Sequence, residues 1–507
     1  MRSPLRRSRG AISLAALAVV SIAILALCVV LLRVNSAREM DGGDADVLIV
    51  YCAAGLRPAM EAVRERYEAE YGVRIDVNFG GSGSLLGTIR SAEAGDLYVA
   101  ADMAYLDQAR ELGLCAEVLP LAWQNPVVAV AKGNPKGIRE FKDLLRDDVQ
   151  VGMANPEAAA VGKCVRTELR KAGLWSQLKA RLAVMKMTVN EVANDVKMGA
   201  IDAGITWDAT LTSYPGMEAV GMPELGGGER QIACGLLTSS EVPTSALRFA
   251  RYLTARDRGL LEFGKRGFRV IDGDKWVEIP RLIVMSGAML RPGIEDMIVA
   301  FQRREGCELE VTFNGCGVLV SQMKAGSWPD AYLSCDRSFM EQVQEGFEGP
   351  RDLTENDMVI IVPEGNPEGI RGLIDLREER LRVGLADPTK SALGALTQRM
   401  LKRAGLAAAV NAGIELRSPT GDMLVNQMLI GALDAAVVYR SNALAHRENR
   451  DRLDLVEVKV EGATAYQNYA VGRETDHPWL LDRFFDRVRA RASRGVFESV
   501  GFRWIGR

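Results

Sequence analysis

Residues 78–89 read NFGGSGSLLGTI, and in them a short strand-like run gives way to glycines and serines. Helical spacing of apolar residues begins at Leu85. The first backbone N–H groups of a helix have no partner within it, and the helix dipole favours negative charge there. Glycine lets a ligand approach the backbone, and serine hydroxyls add donors. The stretch therefore predicts either an anion-binding turn or a plain strand-to-helix loop with a serine N-cap.

Short, nearly identical segments recur in the same order along the chain. Residues 56–58 (LRP) return at 290–292, an offset of 234, and residues 133–138 (GNPKGI) return as GNPEGI at 365–370, an offset of 232. Ordered repeats at a nearly fixed offset indicate a tandem duplication. A period near 230 residues is far too long for a solenoid, so each copy is predicted to be a domain or a domain pair.

Each copy alternates strand-like apolar runs with helical patterns, which predicts an α/β fold. We expect a first unit at 46–272, a linker at 273–280 and a second unit at 281–507. In the first unit the expected strands are 46–51, 74–79, 96–100, 126–131, 150–154, 203–206 and 229–236, and the expected helices are 57–71, 85–93, 162–172 and 189–198. Such alternation predicts mostly parallel sheets with helices on both faces. Ligands of such sheets bind beyond the carboxyl ends of the strands, where the glycine loop lies.

The N-terminus has the pattern of a membrane anchor. Residues 1–10 are rich in arginine, and residues 11–32 are uncharged. The uncharged run would span about 33 Å as a helix, enough for a bilayer core. The arginines should stay cytoplasmic, which places the rest of the chain outside. A cleaved signal peptide is the alternative. In the anchored form, residues 33–45 are expected to form a short polar tether.

Charge and residue usage exclude several function classes. A net charge of −3 gives no electrostatic case for nucleic acid. With no CxxC motif and only His446 and His477, metal and cofactor sites have poor support, so none is expected. The serine loop ends in Leu85 and does not match GxSxG, and the first unit holds no histidine to pair with a serine. The sequence therefore predicts a protein that is not an enzyme.

Five loops of the first unit carry a resemblance when they are taken in order. They are residues 52–55 (CAAG), 81–84 (GSGS), 95–102 (GDLYVAAD), 155–162 (NPEAAAVG) and 199–207 (GAIDAGITW). The series resembles the molybdate-binding proteins of ABC importers, within the type II periplasmic solute-binding proteins. The resemblance covers the first unit and, more weakly, the second. It implies two tandem units, each of two lobes that are joined by crossover strands and close on a tetrahedral oxyanion.

Carried onto matching positions, the resemblance implies a ligand site in each unit. In the first unit the implied ligand-binding residues are Ala54, Ser82, Val161, Val189 and Trp207, with Ser84 as a further donor. In the second unit they are Ser286, Cys316, Leu393, Gly421 and Tyr439. The family has a serine at the first position and a tyrosine at the last, so Ala54 and Trp207 are departures. Cys316 likewise replaces the serine of the glycine loop.

The second unit has a second cysteine, Cys335, on the strand that ends beside the same cleft. Two small apolar residues, a disulfide between Cys316 and Cys335, and a thiol ligand site all stay open at this point.

The leading hypothesis is a solute-binding protein of the cytoplasmic membrane. It would capture molybdate or tungstate outside the cell membrane for an ABC permease. The alternatives are a sensory or scaffold protein with duplicated, partly degenerate binding folds, or the same fold binding sulfate, phosphate, a carboxylate or a chelated metal.

Overall fold

The computed structural model describes residues 47–414 and 416–505. The anchor expected at 11–32 and its tether lie outside these residues. In the described part of the chain, no helix combines the length and apolarity needed to cross a membrane.

The first unit alternates strands and helices, as the sequence predicts, and adds several elements that its pattern does not reveal. In chain order its elements are β1 (Leu48–Ala53), α1 (Arg57–Tyr71), β2 (Ile75–Gly80), α2 (Ser82–Ala92), β3 (Leu97–Ala100), α3 (Met103–Glu111), β4 (Cys115–Gln124), β5 (Pro126–Ala131), β6 (Val151–Ala154), α4 (Ala160–Lys171), α5 (Trp175–Arg181), β7 (Leu182–Lys186), α6 (Val189–Lys197), β8 (Ala203–Trp207), β9 (Met217–Val220), β10 (Arg230–Leu237), α7 (Pro243–Leu253), α8 (Gly259–Gly264) and β11 (Arg269–Val270).

Two mixed sheets divide this unit into lobes. The first lobe holds the order β11-β4-β10-β3-β1-β2, and the second holds β7-β6-β8-β5-β9. Strand β1 pairs in parallel with β2 and β3, but β10 runs antiparallel to β3 and β4, and β5 runs antiparallel to β8 and β9. The prediction of mostly parallel sheets is therefore wrong. Strands β10 and β5 cause the difference, because each runs antiparallel to both of its neighbours.

The second unit repeats this plan. Its elements are β12 (Arg281–Gly287), α9 (Arg291–Glu305), β13 (Glu308–Asn314), α10 (Cys316–Lys324), β14 (Ala331–Ser334), α11 (Arg337–Met340), β15 (Phe347–Pro363), β16 (Val383–Ala386), α12 (Ala392–Arg403), α13 (Ala407–Ala412), β17 (Leu416–Ser418), α14 (Gly421–Leu429), β18 (Ala435–Tyr439), α15 (Arg440–Leu444), α16 (Arg447–Arg450), β19 (Leu453–Glu457), β20 (Thr464–Gly472), α17 (Pro478–Val488), α18 (Arg491–Ser499) and β21 (Arg503–Trp504).

One long strand joins the two lobes of the second unit. In the first unit, β4 passes through Asn125 into β5 and so carries the chain from one lobe to the other. The second unit has the continuous strand β15 in the place of both. It pairs with β20 in the first lobe and with β18 in the second, which merges the two sheets into the order β13-β12-β14-β20-β15-β18-β16-β17.

The glycine stretch differs from its prediction in where the helix begins and which residue is the N-cap. Helix α2 begins at Ser82, three residues before the predicted start at Leu85. Its N-cap is Gly81, which makes no side-chain capping bond, so the serine N-cap alternative is wrong. Gly81 is extended, at φ −69° and ψ 142°, and strand β2 therefore turns into the helix within one residue. As a result the serines belong to the first helical turn.

The two units meet through a buried charge cluster between their first lobes. Glu305, at the end of α9, contacts Arg483 of α17 through two bonds of 2.8 and 3.0 Å. Arg251 of α7 in the first unit lies 3.5 Å from the same carboxylate. Nearby, Arg304 forms two hydrogen bonds with Glu117 of β4. Buried ion pairs of this kind fix the relative position of the groups they join, because breaking one leaves a charge without a partner.

Candidate functional site

A cavity of about 20 Å³ lies between the two lobes of the first unit. Four helical segments begin at its wall: a 3-10 turn at Ala54, α2 at Ser82, α4 at Ala160 and α6 at Val189. Trp207, the last residue of β8, completes the lining. The folding plan brings these starts together because each helix follows a strand that ends at the cleft.

The electrostatics of this cavity favour an anion. Each helix start presents backbone N–H groups that lack an intrahelical partner, together with the positive end of the helix dipole. Every residue that lines the cavity in the described part of the chain is uncharged. A small anion would meet donors on several sides and no carboxylate. A protonated anion would also find no charged acceptor for its proton.

Ser82 is positioned to donate a hydrogen bond into the cavity. Its Oγ accepts the backbone N–H of Ala101 at 3.2 Å, which leaves its own O–H as the remaining donor. Below it, the Tyr98 hydroxyl donates to the Ser82 carbonyl oxygen at 2.7 Å. The side chain is buried, so both bonds hold it in place from within the first lobe.

The lobes are closed over the cavity. The backbone N–H groups of Gly83 and Ser84 both donate to the carbonyl oxygen of Ala158 in the second lobe, at 2.8 and 3.1 Å. A Cβ added to Gly81 would lie 2.7 Å from the Met187 carbonyl oxygen and closer still to that of Ala158. The glycines are therefore required for contact between lobes as well as for approach to a ligand.

The structure brings five predicted residues of the first unit to one cavity: Ala54, Ser82, Val161, Val189 and Trp207. Their role as ligand-binding residues stays a prediction. Ser84 lies outside the lining, because the helix turns its side chain away and its N–H is used by Ala158.

Sequence reasoning missed Thr188, which also lines the cavity. Its Oγ1 accepts the N–H of Glu191, and Glu191 bonds back to the N–H of Thr188. This capping box has a readable signature, a threonine followed three residues later by a glutamate, that marks the start of α6.

The second unit places four of its five predicted residues at equivalent points. Cys316 is the first residue of α10, Leu393 is the second of α12, Gly421 is the first of α14 and Tyr439 is the last of β18. All four are buried. Whether they bind a ligand stays a prediction.

Ser286 lies elsewhere than predicted. Strand β12 runs into a 3-10 turn that begins at Ala288, so Ala288 is the counterpart of Ala54. Ser286 lies two residues earlier, at the position equivalent to Cys52 of the first unit. Its hydroxyl donates a hydrogen bond to the carbonyl oxygen of Gly287 at 3.4 Å. The offset of 234 applies throughout this segment and decides the correspondence.

The cysteine pair is reduced in the structure. All seven described cysteines are free and buried. The backbone N–H of Cys335 donates to Cys316 Sγ at 3.1 Å. This bond matches the one from Ala101 to Ser82, so the sulfur of Cys316 occupies the place of the Ser82 hydroxyl.

Comparison with known proteins agrees with this architecture. The family model of the bacterial extracellular solute-binding proteins matches residues 48–269 and again residues 282–503. The molybdate-binding protein ModA of Mycobacterium bovis is 28% identical over 211 residues, which is 41% of this chain and 79% of that protein. ModA of Escherichia coli is 24% identical over 187 residues, or 35% of this chain and 71% of that protein.

Two solved structures are among those similar to part of this chain. The periplasmic molybdate-binding protein of Azotobacter vinelandii is 17% identical, with a TM-score of 0.40 over 44% of this chain and 100% of that chain. The sulfate-binding protein SubI of Mycobacterium tuberculosis is 16% identical, with a TM-score of 0.40 over 45% of this chain and 87% of that chain. The two matches to the family model together cover most of the chain. The chain therefore belongs to the bacterial extracellular solute-binding proteins and carries two tandem copies of their fold.

Proposed function

We propose that the first unit captures a tetrahedral oxyanion, molybdate or tungstate, for an ABC importer. The observation that carries the proposal is the meeting of four helical N-termini at an uncharged cavity between the two lobes. Each hydrogen bond to a charged group contributes about 1.5–3 kcal/mol net, so a handful of them exceeds the free energy lost on closure and desolvation. Trp207 can donate a hydrogen bond from its indole N–H at the position where the resemblance implies a tyrosine.

The relatives support the choice of ligand and the setting. Proteins named as molybdate-binding are among those similar to one unit of this chain. The uncharged run at 11–32 supports attachment to the outer side of the cytoplasmic membrane, with a permease as partner. Held there, the protein would deliver its anion without diffusing away from the importer.

We expect molybdate and tungstate to raise the Tm of the full-length protein. At a concentration about 100 times the Kd, binding adds about 2.7 kcal/mol, which corresponds to roughly 5–10 °C for a unit of this size. Differential scanning fluorimetry against molybdate, tungstate, sulfate and phosphate measures the effect. A shift with sulfate or phosphate alone would overturn the ligand assignment, and no shift with any of the four would overturn the proposal.

Replacing Ser82 with alanine should weaken the binding of the stabilising anion. The variant loses one donor to a charged ligand, about 1.5–3 kcal/mol, or roughly 10- to 100-fold in Kd. Isothermal titration calorimetry measures it directly. Ser84→Ala is the matched control on the same helix turn, and its binding free energy should change by less than about 0.5 kcal/mol because Ser84 lies outside the cavity. Equal losses in both variants would contradict the role of Ser82.

A further inference from the structure

The cleft of the second unit has been rebuilt around sulfur. Where the first unit has Ala101, the second has Cys335, and where the first has Ala53, the second has Gly287. A Cβ at Gly287 would lie 3.1 Å from Cys316 Sγ and would collide with Cys335 Sγ. Gly287 therefore supplies the space that the second thiol fills, and the two thiols lie side by side at the start of α10.

Unpartnered polar groups lie at the same cleft. The hydroxyl groups of Tyr439 and Ser441 are fully buried, and neither has a hydrogen-bond partner among the described residues. Tyr439 occupies the position of Trp207, which lines the cavity of the first unit. Leaving a buried hydroxyl without a hydrogen-bond partner is unfavourable, so a bound group would complete this site.

We propose that the second cleft binds a soft monovalent cation, Cu(I), through Cys316 and Cys335. Thiolates are soft ligands, which favour Cu(I) over harder cations. Binding replaces the protons of the two thiols: Cu(I) plus two thiols gives a bis-thiolate complex of net charge −1 and two released protons, with no change of oxidation state. The proposal is independent of the oxyanion site of the first unit.

The surroundings favour such a complex. Its net negative charge would lie at the N-terminal ends of α10 and α14, where the helix dipole stabilises anions. An uncomplexed cation would be repelled by the same helix ends, which explains the need for two thiolates.

Anaerobic competition with a colorimetric Cu(I) chelator tests the proposal on the reduced, full-length protein. We expect the wild type to withdraw one equivalent of Cu(I), and Cys316→Ser and Cys335→Ala each to lose this capacity. Gly287→Ala should weaken Cu(I) binding, because the added Cβ displaces Cys335 Sγ although every thiol remains.

Cys234→Ala is the matched control, because Cys234 is an equally buried thiol in the core of the first unit. It should bind Cu(I) as the wild type does. Circular dichroism and Tm of each variant establish that it is folded, and Cys335→Ser provides a closer substitute if the alanine variant is not. The proposal is overturned if the wild type takes up no Cu(I), or if folded Cys335 variants and Gly287→Ala bind it with unchanged affinity. Neither result would depend on whether molybdate binds the first unit.

Discussion

Replacing Glu305 with glutamine should lower the free energy of unfolding by about 3–5 kcal/mol, because Arg251 and Arg483 would stay buried without their counter-charge. Glu305 is 1% exposed and contacts both guanidinium groups. Glutamine keeps the size of the side chain and removes only the charge. Urea denaturation of the full-length protein measures the difference.

The control for this change is Glu310→Gln. Glu310 pairs with Arg281 at 2.8 Å, but both side chains are mostly exposed, so the change in stability should stay within about 0.5 kcal/mol. A loss below about 1 kcal/mol for Glu305→Gln would show that the surrounding apolar contacts, and not the charge cluster, hold the units together.

The effect of Glu305 should depend on pH with a defined sign. Burial raises the pKa of its carboxyl, but the two arginines outweigh burial and bring the pKa below its ordinary value. A group whose folded pKa is depressed stabilises the protein above its unfolded pKa, about 4.3 for glutamate, and loses that contribution as the pH falls through the folded pKa. The stability difference between wild type and Glu305→Gln should therefore be full at neutral pH and shrink below about pH 4.

Replacing Gly81 with alanine should abolish tight binding while leaving the empty protein stable. In the closed unit the new Cβ would lie 2.7 Å from the Met187 carbonyl oxygen, and a backbone oxygen moves only if the lobes separate. The extended conformation of Gly81 suits alanine, so the open form carries no strain. We expect the Kd of the stabilising anion to rise about 100-fold or more, or at least about 2.7 kcal/mol.

Calorimetry gives the Kd, and small-angle X-ray scattering with and without the anion reports closure. Gly87→Ala is the control on the same helix, since a Cβ there meets nothing within 4 Å. It should bind normally and gain up to about 1 kcal/mol of stability from helix propensity. Normal binding by Gly81→Ala would mean that the anion does not require the closed state.

Local sequence was enough to predict the duplicated α/β fold, and the GNPxGI repeat shows why. Asn134 and Asn366 both adopt positive φ, at 45° and 47°. The side-chain oxygen of each accepts the N–H four residues ahead, from Ile138 and Ile370. The turn is encoded within six residues, so its recurrence in the sequence is a recurrence of structure. Strand direction is not local in this way, and the antiparallel pairing of β10 and β5 could not be read from their apolar patterns.

The positions of the candidate site residues could be predicted where those residues lie at helix starts; their role in binding stays a prediction. Ser82 and Val161 follow from the order of strand, loop and helix in each βα unit. The prediction for Ser286 follows the residue type that the family has at this site. The LRP repeat at 290–292 instead makes Ser286 the equivalent of Cys52. The compensation between Gly287 and Cys335 was beyond reach, because it joins positions 48 residues apart that meet only in the folded lobe.

The contacts made by Glu305 and Arg304 join the two units through their first lobes. Each second lobe can therefore swing on its own crossovers without disturbing this shared frame. A substitution in one cleft therefore leaves the other cleft unaltered, and the two copies of a duplicated gene can diverge separately on such a frame.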